Sequence, residues 1–358
     1  MKLSRTGQLA LGTLVAVALL AGCSGTGGSQ SSTPTTGINP ASVGGHGVGV
    51  QNAHLGEHYT SVKAPKVHSD TRKSHVSPEA KSVPRLLFIS DDGTNDVLIF
   101  SLPAMALMGT LTGFDEPQGM CSDKAGNIWI TNTGTRQIYQ YSRTGTLLNT
   151  LNDPSGYPVG CAVYKANGNL AVTNLFGYPS GDGTVEVYAN ATGTPTAYSN
   201  PSQTENFFDA YDSNGNLYVD GFGTSGFSLS VLPNNSSTMS TVHITGGTIT
   251  FPGGVNWRPA TGLVIGDQEC SNGSCLWAVS VSGSTGTITG STPLNNYNGG
   301  ACDVDQSTIS PFGKFYAGGC ISESSAPSTA VRWKYPAGTV TNYSSSVSEP
   351  IGAAISNK

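Results

Sequence analysis

The chain has 358 residues, of which 11% are charged and 37% hydrophobic, with a formal net charge of −5. From Arg85 onward 19 carboxylates stand against 10 Lys and Arg residues, a balance of −9. An acidic domain with no basic stripe argues against nucleic acid as a partner, and sparse charge with abundant Ser, Thr, Asn and Gly suits an exported β protein.

Residues 1–22 read as an export signal. Lys2 and Arg5 supply the basic start, and Leu9 to Leu20 is an apolar run of about a dozen residues, short for a membrane span. The run ends in Leu20-Ala21-Gly22-Cys23, which resembles the bacterial lipobox. That resemblance implies cleavage before Cys23, acylation of its thiol, and anchoring in the cell envelope, with Ser24 permitting the outer membrane. An ordinary signal peptide followed by a chance cysteine is the other reading. Residues 23–84 are rich in Ser, Thr, Gly and Pro and read as a flexible tether, spanning roughly 40 Å root-mean-square as a coil. Five of the six histidines fall here: His46, His54, His58, His68 and His75. His54 and His58 can meet on a helical turn to take a metal, but the irregular spacing favours solvated linker residues.

Residues 85–358 read as one large all-β domain. Leu86 to Ser90, Val97 to Ser101 and Ala106 to Leu111 are three strands with no entry strand before them. Glu116 to Tyr141 is the clearest unit: a run entered through Pro117 and Gly119, the turn Asp123-Lys124-Ala125-Gly126-Asn127, the run Ile128-Trp129-Ile130-Thr131, a second turn, and the alternation Ile138 to Tyr141. Thr146 to Leu151 can supply a fourth strand. Copies start at Pro158, Asn206, Pro252, Asn298 and Pro350, so the intervals are 41, 48, 46, 46 and 52 residues. That period belongs to propellers and related arrays. Glu349 to Ile355 is an entry strand with nothing after it, so it is expected to complete the first unit and close the ring. Five complete units and one composite make six blades.

Pro117 to Tyr141 resembles an NHL repeat, and the layout over 83–358 is similar to that of the gluconolactonase and regucalcin group of six-bladed propellers. The resemblance implies the fold; the repeat itself carries no catalytic residue.

With Cys23 lipidated, six cysteines remain for an oxidising compartment. Repeat phase lets Cys121 and Cys161 face each other from neighbouring blades, because alternate strand residues point to opposite sides. Cys270 and Cys275 flank a hairpin loop, and Cys302 and Cys320 lie about equally far from one turn. The pairs 121–161, 270–275 and 302–320 follow. Zinc is the alternative, with spacings that match no common finger.

Loops before the inner strands and after the second strands share one face of a propeller. That face is expected to gather Glu116, Glu205 and Glu349 with Asp91, Asn132, Asn174, Asp220 and Asp267, while Asp209 and Asp303 lie deeper on inner strands. Such a ring of hard oxygens can hold Ca²⁺ or Mg²⁺; equally, Asp and Asn can cap turns. The gluconolactonase resemblance implies a divalent metal held by a Glu, an Asn and an Asp. Glu116 or Glu349, Asn174 or Asn298, and Asp220 or Asp267 are the available counterparts. The Glu-Gly-Pro that presents the first ligand in that group is replaced by Glu116-Pro117-Gln118-Gly119. Lyase propellers rely on histidine, and here the repeats contain His243 alone. Asp212-Ser213-Asn214-Gly215-Asn216 starts like a calcium loop, but its twelfth position is Gly223. Trp129, Tyr139, Tyr141, Trp257, Trp277 and Trp333 read as packing, with glycan stacking the minority reading. The expected function is a monomeric, non-catalytic envelope module, anchored in the membrane through Cys23, that binds a protein, glycan or small ligand and has no assigned cofactor. A divalent-metal hydrolase using Glu116, Glu349, Asp220 and Asp267 is the alternative.

Overall fold

A computed structural model describes residues 72–358. The expected signal peptide, the Cys23 anchor and the tether up to residue 71 lie outside the described residues.

The fold is all-β, and three 3-10 turns are the helical elements among the described residues. Each repeat forms an antiparallel meander whose first strand is innermost. The second sheet runs Pro117–Ser122, Ile128–Asn132, Gln137–Tyr141, Leu147–Asn152; the third runs Gly156–Tyr164, Asn169–Gly177, Val185–Tyr188, Thr196–Tyr198. Two further meanders follow. They begin with Gln203–Tyr211 and Pro252–Arg258 and end with Ser240–Thr245 and Thr285–Pro293. Their outer strands pair in parallel, His243 to Thr245 against Thr285 to Thr287, so the two meanders make one eight-stranded sheet. In the last sheet both Cys302–Asp303 and Ser307–Ile309 pair with Phe315–Ser322, which is followed by Thr329–Lys334 and Thr339–Ser344.

The first sheet is closed by the C-terminus, as expected. Pro350–Asn357 lies antiparallel to Arg85–Asp91, with Leu87 opposite Ile355 and Phe88 opposite Ala354. The inner strands then touch in succession: Pro117–Ser122, Gly156–Tyr164, Gln203–Tyr211, Pro252–Arg258, Ser307–Ile309, Pro350–Asn357, and back to Pro117–Ser122. This is a propeller-like arrangement, and it is tight because of glycine. A Cβ on Gly119 would run into the Val159 carbonyl, one on Gly160 into the Phe207 carbonyl, and one on Gly352 into the Gln118 carbonyl.

The turn between first and second strands repeats as the sequence implies. Gly126, Gly168, Gly215, Gly262 and Gly313 all have positive φ, which costs glycine nothing. Asp123 accepts N–H bonds from Ala125 and Asn127, and Asp212 does the same from Asn214 and Asn216. The calcium-loop fragment is thus a self-capped turn.

Among the described residues, elements of the fold lie ahead of the expected boundary at residue 85. His75–Val76 adds to the outer edge of the first sheet, pairing with Thr110 and Gly109. The 3-10 turn Pro78–Lys81 buries Ala80, and Arg72 bonds Asp96 at 2.6 Å. Gly109 has no side chain to obstruct the approach, and Val76 and Val83 join the core cluster around Leu111 and Phe114. Covering that edge removes a row of unpaired backbone groups. The three disulfides are Cys121–Cys161, Cys270–Cys275 and Cys302–Cys320, the pairs read from the repeat phase.

Candidate functional site

Three of the acids and amides expected around one mouth, Asp91, Asn132 and Asp267, are occupied in holding the chain together. Asp91 accepts the Ser348 and Glu349 N–H groups at 2.6 and 3.0 Å. Asn132 accepts the Asp115 N–H at 2.8 Å. Asp267 accepts from the Thr250, Phe251 and Glu269 N–H groups and the Trp277 indole, all at 2.9–3.1 Å. Each ties the end of a second strand to the loop that enters an inner strand. Buried backbone donors need such partners.

Asp220 departs from this set. Asn132, Asn174 and Asp267 lie four residues beyond Ile128, Leu170 and Leu263, whereas Asp220 lies three beyond Leu217. In a strand that offset turns the side chain to the opposite face. Asp220 accordingly shares the position of Thr131 and Thr173, and it accepts the Phe208 N–H at 2.8 Å. The four residues expected to share a divalent metal, Glu116, Asp220, Asp267 and Glu349, are not gathered. Among the described residues, the cluster of three donor side chains within 4.8 Å is Asp267, Cys270 and Cys275, and those cysteines form a disulfide. Glu205 is half-buried, its carboxyl pushed up to about 7 by burial and then by Asp182. Asp303 is buried at the start of the last sheet.

The same end of the ring is filled with apolar side chains. Val159, Phe207, Phe251, Ile321 and Ile351 come from different repeats yet belong to one packed cluster. Phe251 meets Phe207 and Phe222 edge-on, with centroids 5.6 and 4.9 Å apart. Phe251 precedes an inner strand and Ile321 ends a second strand, so the plug occupies the mouth that the sequence reading had made acidic.

The opposite end is open. A cavity of about 750 Å³ is lined by the C-terminal parts of all the inner strands and the loops that follow them. Its wall includes Tyr164, Asp209, Tyr211, Trp257, Phe312 and Asn357. Gln306 spans the axis: its Oε1 accepts from the Met120 and Ala353 N–H groups at 2.9 Å, and its Nε2 donates to the Met120 carbonyl at 3.1 Å. Tyr164 and Tyr211 pair with centroids 5.4 Å apart. Trp257 stacks parallel to Tyr218 and donates its indole N–H to Ser213 at 3.0 Å.

Asp209 is the unusual member. It is 5% exposed, and neither carboxyl oxygen has a hydrogen-bond partner beyond its own backbone amide. Burial pushes its carboxyl well above the usual range. The nearby Asp220 is raised as well, by burial first and then by the charge of Asp209. An unpaired buried carboxyl costs stability, and such groups concentrate at binding and catalytic sites. Asp209 lies on an inner strand, as expected, and there it lines this cavity. The tyrosines, Trp257 and Gln306 were missed as cavity residues, because strand alternation alone does not tell channel lining from packing between sheets. The cavity lining contains no histidine, and His243 sits exposed on the strand Ser240–Thr245.

No protein-family model matches the sequence, and no curated protein matches it. Solved structures do. A nidogen structure, solved as a nidogen/laminin complex, superposes with a TM-score of 0.58 at 11% identity, covering 76% of this chain and 98% of that one. TolB from Acinetobacter baumannii gives 0.56 at 12%, covering 77% and 67%. A Bacteroides caccae protein of unknown function gives 0.57 at 14%, covering 77% and 100%. At these identities the likeness establishes the propeller fold alone.

Proposed function

We propose that this chain is an exported lipoprotein, anchored through Cys23, whose propeller is a non-catalytic binding module for a small polar ligand. Six blades are counted by treating the two halves of the eight-stranded sheet as the fourth and fifth, since each half contributes its own inner strand to the ring. The NHL-like turn and strand pattern of Pro117 to Tyr141 supports that count.

The observation that carries the reading is Asp209: a buried carboxyl with no side-chain partner on the wall of a cavity that also presents aromatic rings. A ligand that donates an O–H or N–H to Asp209 and lays an apolar face on Tyr164, Tyr211 or Trp257 satisfies both. A sugar or a small amine has that chemistry. Size favours a small ligand or a glycan terminus over a flat protein surface. The nidogen structure, a complex with laminin, is a precedent for this fold serving as a binding body.

Titrating the purified protein with monosaccharides, short glycans and primary amines tests the reading. At least one class is expected to raise the melting temperature, and Asp209→Ala is expected to weaken its affinity about tenfold or more, a loss of about 1.4 kcal/mol. A panel without any binder, or a binder indifferent to Asp209→Ala, would refute it. The address has its own test: intact mass of the exported protein is expected to show residues 1–22 removed and a diacylglycerol on Cys23.

A further inference from the structure

The acidic balance of the domain conceals a basic end. Lys124, Lys165, Arg258 and Lys314 lie at the turns that join first strands to second strands, and Arg143 and Lys334 at the connections from third strands to fourth. In an antiparallel meander both sets of connections fall at the same end, and here it is the end where the cavity opens. Arg85 starts a second strand there as well. These are seven of the ten Lys and Arg residues from Arg85 onward. The opposite end holds Arg136, with Asp91, Asp96, Glu116, Asp267 and Glu349 among its carboxylates.

Among the described residues none of those seven cations forms an ion pair; the pair there is Arg72 with Asp96. Two carboxylates share their end, Asp123 and Asp212, and both are spent on their own turns. Besides the backbone groups they cap, Asp123 Oδ2 accepts from Asn127 Nδ2 and Gln140 Nε2 at 2.9 Å, and Asp212 Oδ2 accepts from Asn216 Nδ2 at 2.7 Å. Asp123 acts on Lys165 through space without pairing with it.

Three adjacent inner strands bring two of these cations to the aromatic wall of the cavity. Lys165 follows Tyr164 at the end of Gly156–Tyr164, Asp209 and Tyr211 share a face of Gln203–Tyr211, and Trp257 and Arg258 end Pro252–Arg258. All of them line the cavity. Among the described residues, neutral groups hold the Arg258 guanidinium. It donates to Thr261 Oγ1 at 3.3 Å and to the Gly313 carbonyl at 3.4 Å, and it lies 4.6 Å from the centroid of the Tyr335 ring. Its position is fixed and its charge uncompensated. Asp209 does not cancel that charge, because burial pushes its carboxyl up toward the neutral form.

We propose, resting on the ligand-cavity reading above, that the cavity takes an acidic sugar: its carboxylate or phosphate faces Arg258 and Lys165, a hydroxyl meets Asp209, and its ring lies against the aromatic wall. A planar guanidinium matches the paired oxygens of such an anion. A cleft rimmed by one sign of charge also concentrates ions of the other sign. The same rim repels a primary amine, which narrows the ligand to the anionic class.

The test titrates the purified full chain, by calorimetry, with glucuronate, galacturonate and glucose 6-phosphate beside glucose, galactose and ethanolamine. At least one of the acids is expected to bind about tenfold or more tighter than the neutral sugar of the same ring. Raising NaCl from about 0.05 M to about 0.5 M is expected to weaken the acid severalfold and to leave the neutral sugar alone, a readout that needs no variant. Arg258→Gln is expected to lower the affinity for the acid about tenfold with little effect on the neutral sugar. Because Arg258 also packs on Tyr335, Lys165→Gln in its exposed turn supplies a second variant, expected to weaken the acid about threefold. A neutral sugar or ethanolamine that binds as tightly as the acids and depends on Asp209 overturns this inference while the binding-module reading stands. An acid whose binding ignores salt and both substitutions overturns it too. A set without any binder overturns this inference together with the reading beneath it.

Discussion

A chain terminated at Glu349 is expected to be recovered unfolded or aggregated, although it keeps every residue of the repeats that can fold as complete meanders. The missing strand, Pro350–Asn357, is the inner strand of the first sheet, and Ile351, Ala353, Ala354 and Ile355 are 1–3% exposed. Removing it strips the hydrogen bonds that register Arg85–Asp91 against the C-terminus. It also frees the Ser90 hydroxyl oxygen from the Gly352 N–H and Gln306 Oε1 from the Ala353 N–H. Ile351 and Ile355 alone bury roughly 2 kcal/mol each of apolar transfer energy, and the opened ring leaves Arg85–Asp91 as an unpaired strand edge. Typical domains have only about 5–15 kcal/mol of net stability, so the loss is total. Far-UV circular dichroism and gel filtration of the truncated chain, beside one lacking Lys358 alone, make the comparison. A monomeric truncation with a cooperative melt would mean that the ring does not depend on its closing strand.

That prediction rests on the part of the molecule most legible in sequence. Strand runs, glycine turns and a 41–52-residue period are local signals, and each glycine turn has the positive φ its residue type implies. Disulfide pairing was legible too, because the two-residue alternation of strands fixes which face Cys121 and Cys161 present. The site was less legible for a related reason. Asp220 and Asp267 look equivalent in sequence, yet one residue of phase against Leu217 and Leu263 turns them to opposite faces. Whether a mouth is polar or plugged depends on Phe207, Phe251 and Ile351, which come from three repeats and converge only in the closed ring. The parallel pairing of His243 with Thr285 was likewise invisible, since strand-to-strand contacts between meanders leave no periodic mark.

The capping residues and the glycines do one job from two directions. Asp91, Asn132 and Asp267 draw each entry loop onto a second strand, and the glycines then let the inner strands meet backbone to backbone. Substituting one of those glycines is therefore expected to be severe even with the smallest side chain. At Gly119 the added Cβ would strike the Val159 carbonyl and approach the Gly160 Cα at 2.9 Å. Neither atom belongs to a flexible side chain, and the strand that carries them is held by its own sheet and by the Cys121–Cys161 disulfide. Relief requires moving one inner strand relative to the next, which disturbs the Gln306 bonds to Met120 as well. Gly119→Ala is expected to cost about 3 kcal/mol or more, and Gly119→Val to prevent folding. Gly290 provides the control: an added Cβ meets nothing within 4 Å there, and Gly290→Ala is expected to be neutral or slightly stabilising through the unfolded chain. Urea midpoints of the two alanine variants decide the matter. A Gly119→Ala variant within 1 kcal/mol of Gly290→Ala would show slack between the inner strands and leave the closed axis without its mechanical basis.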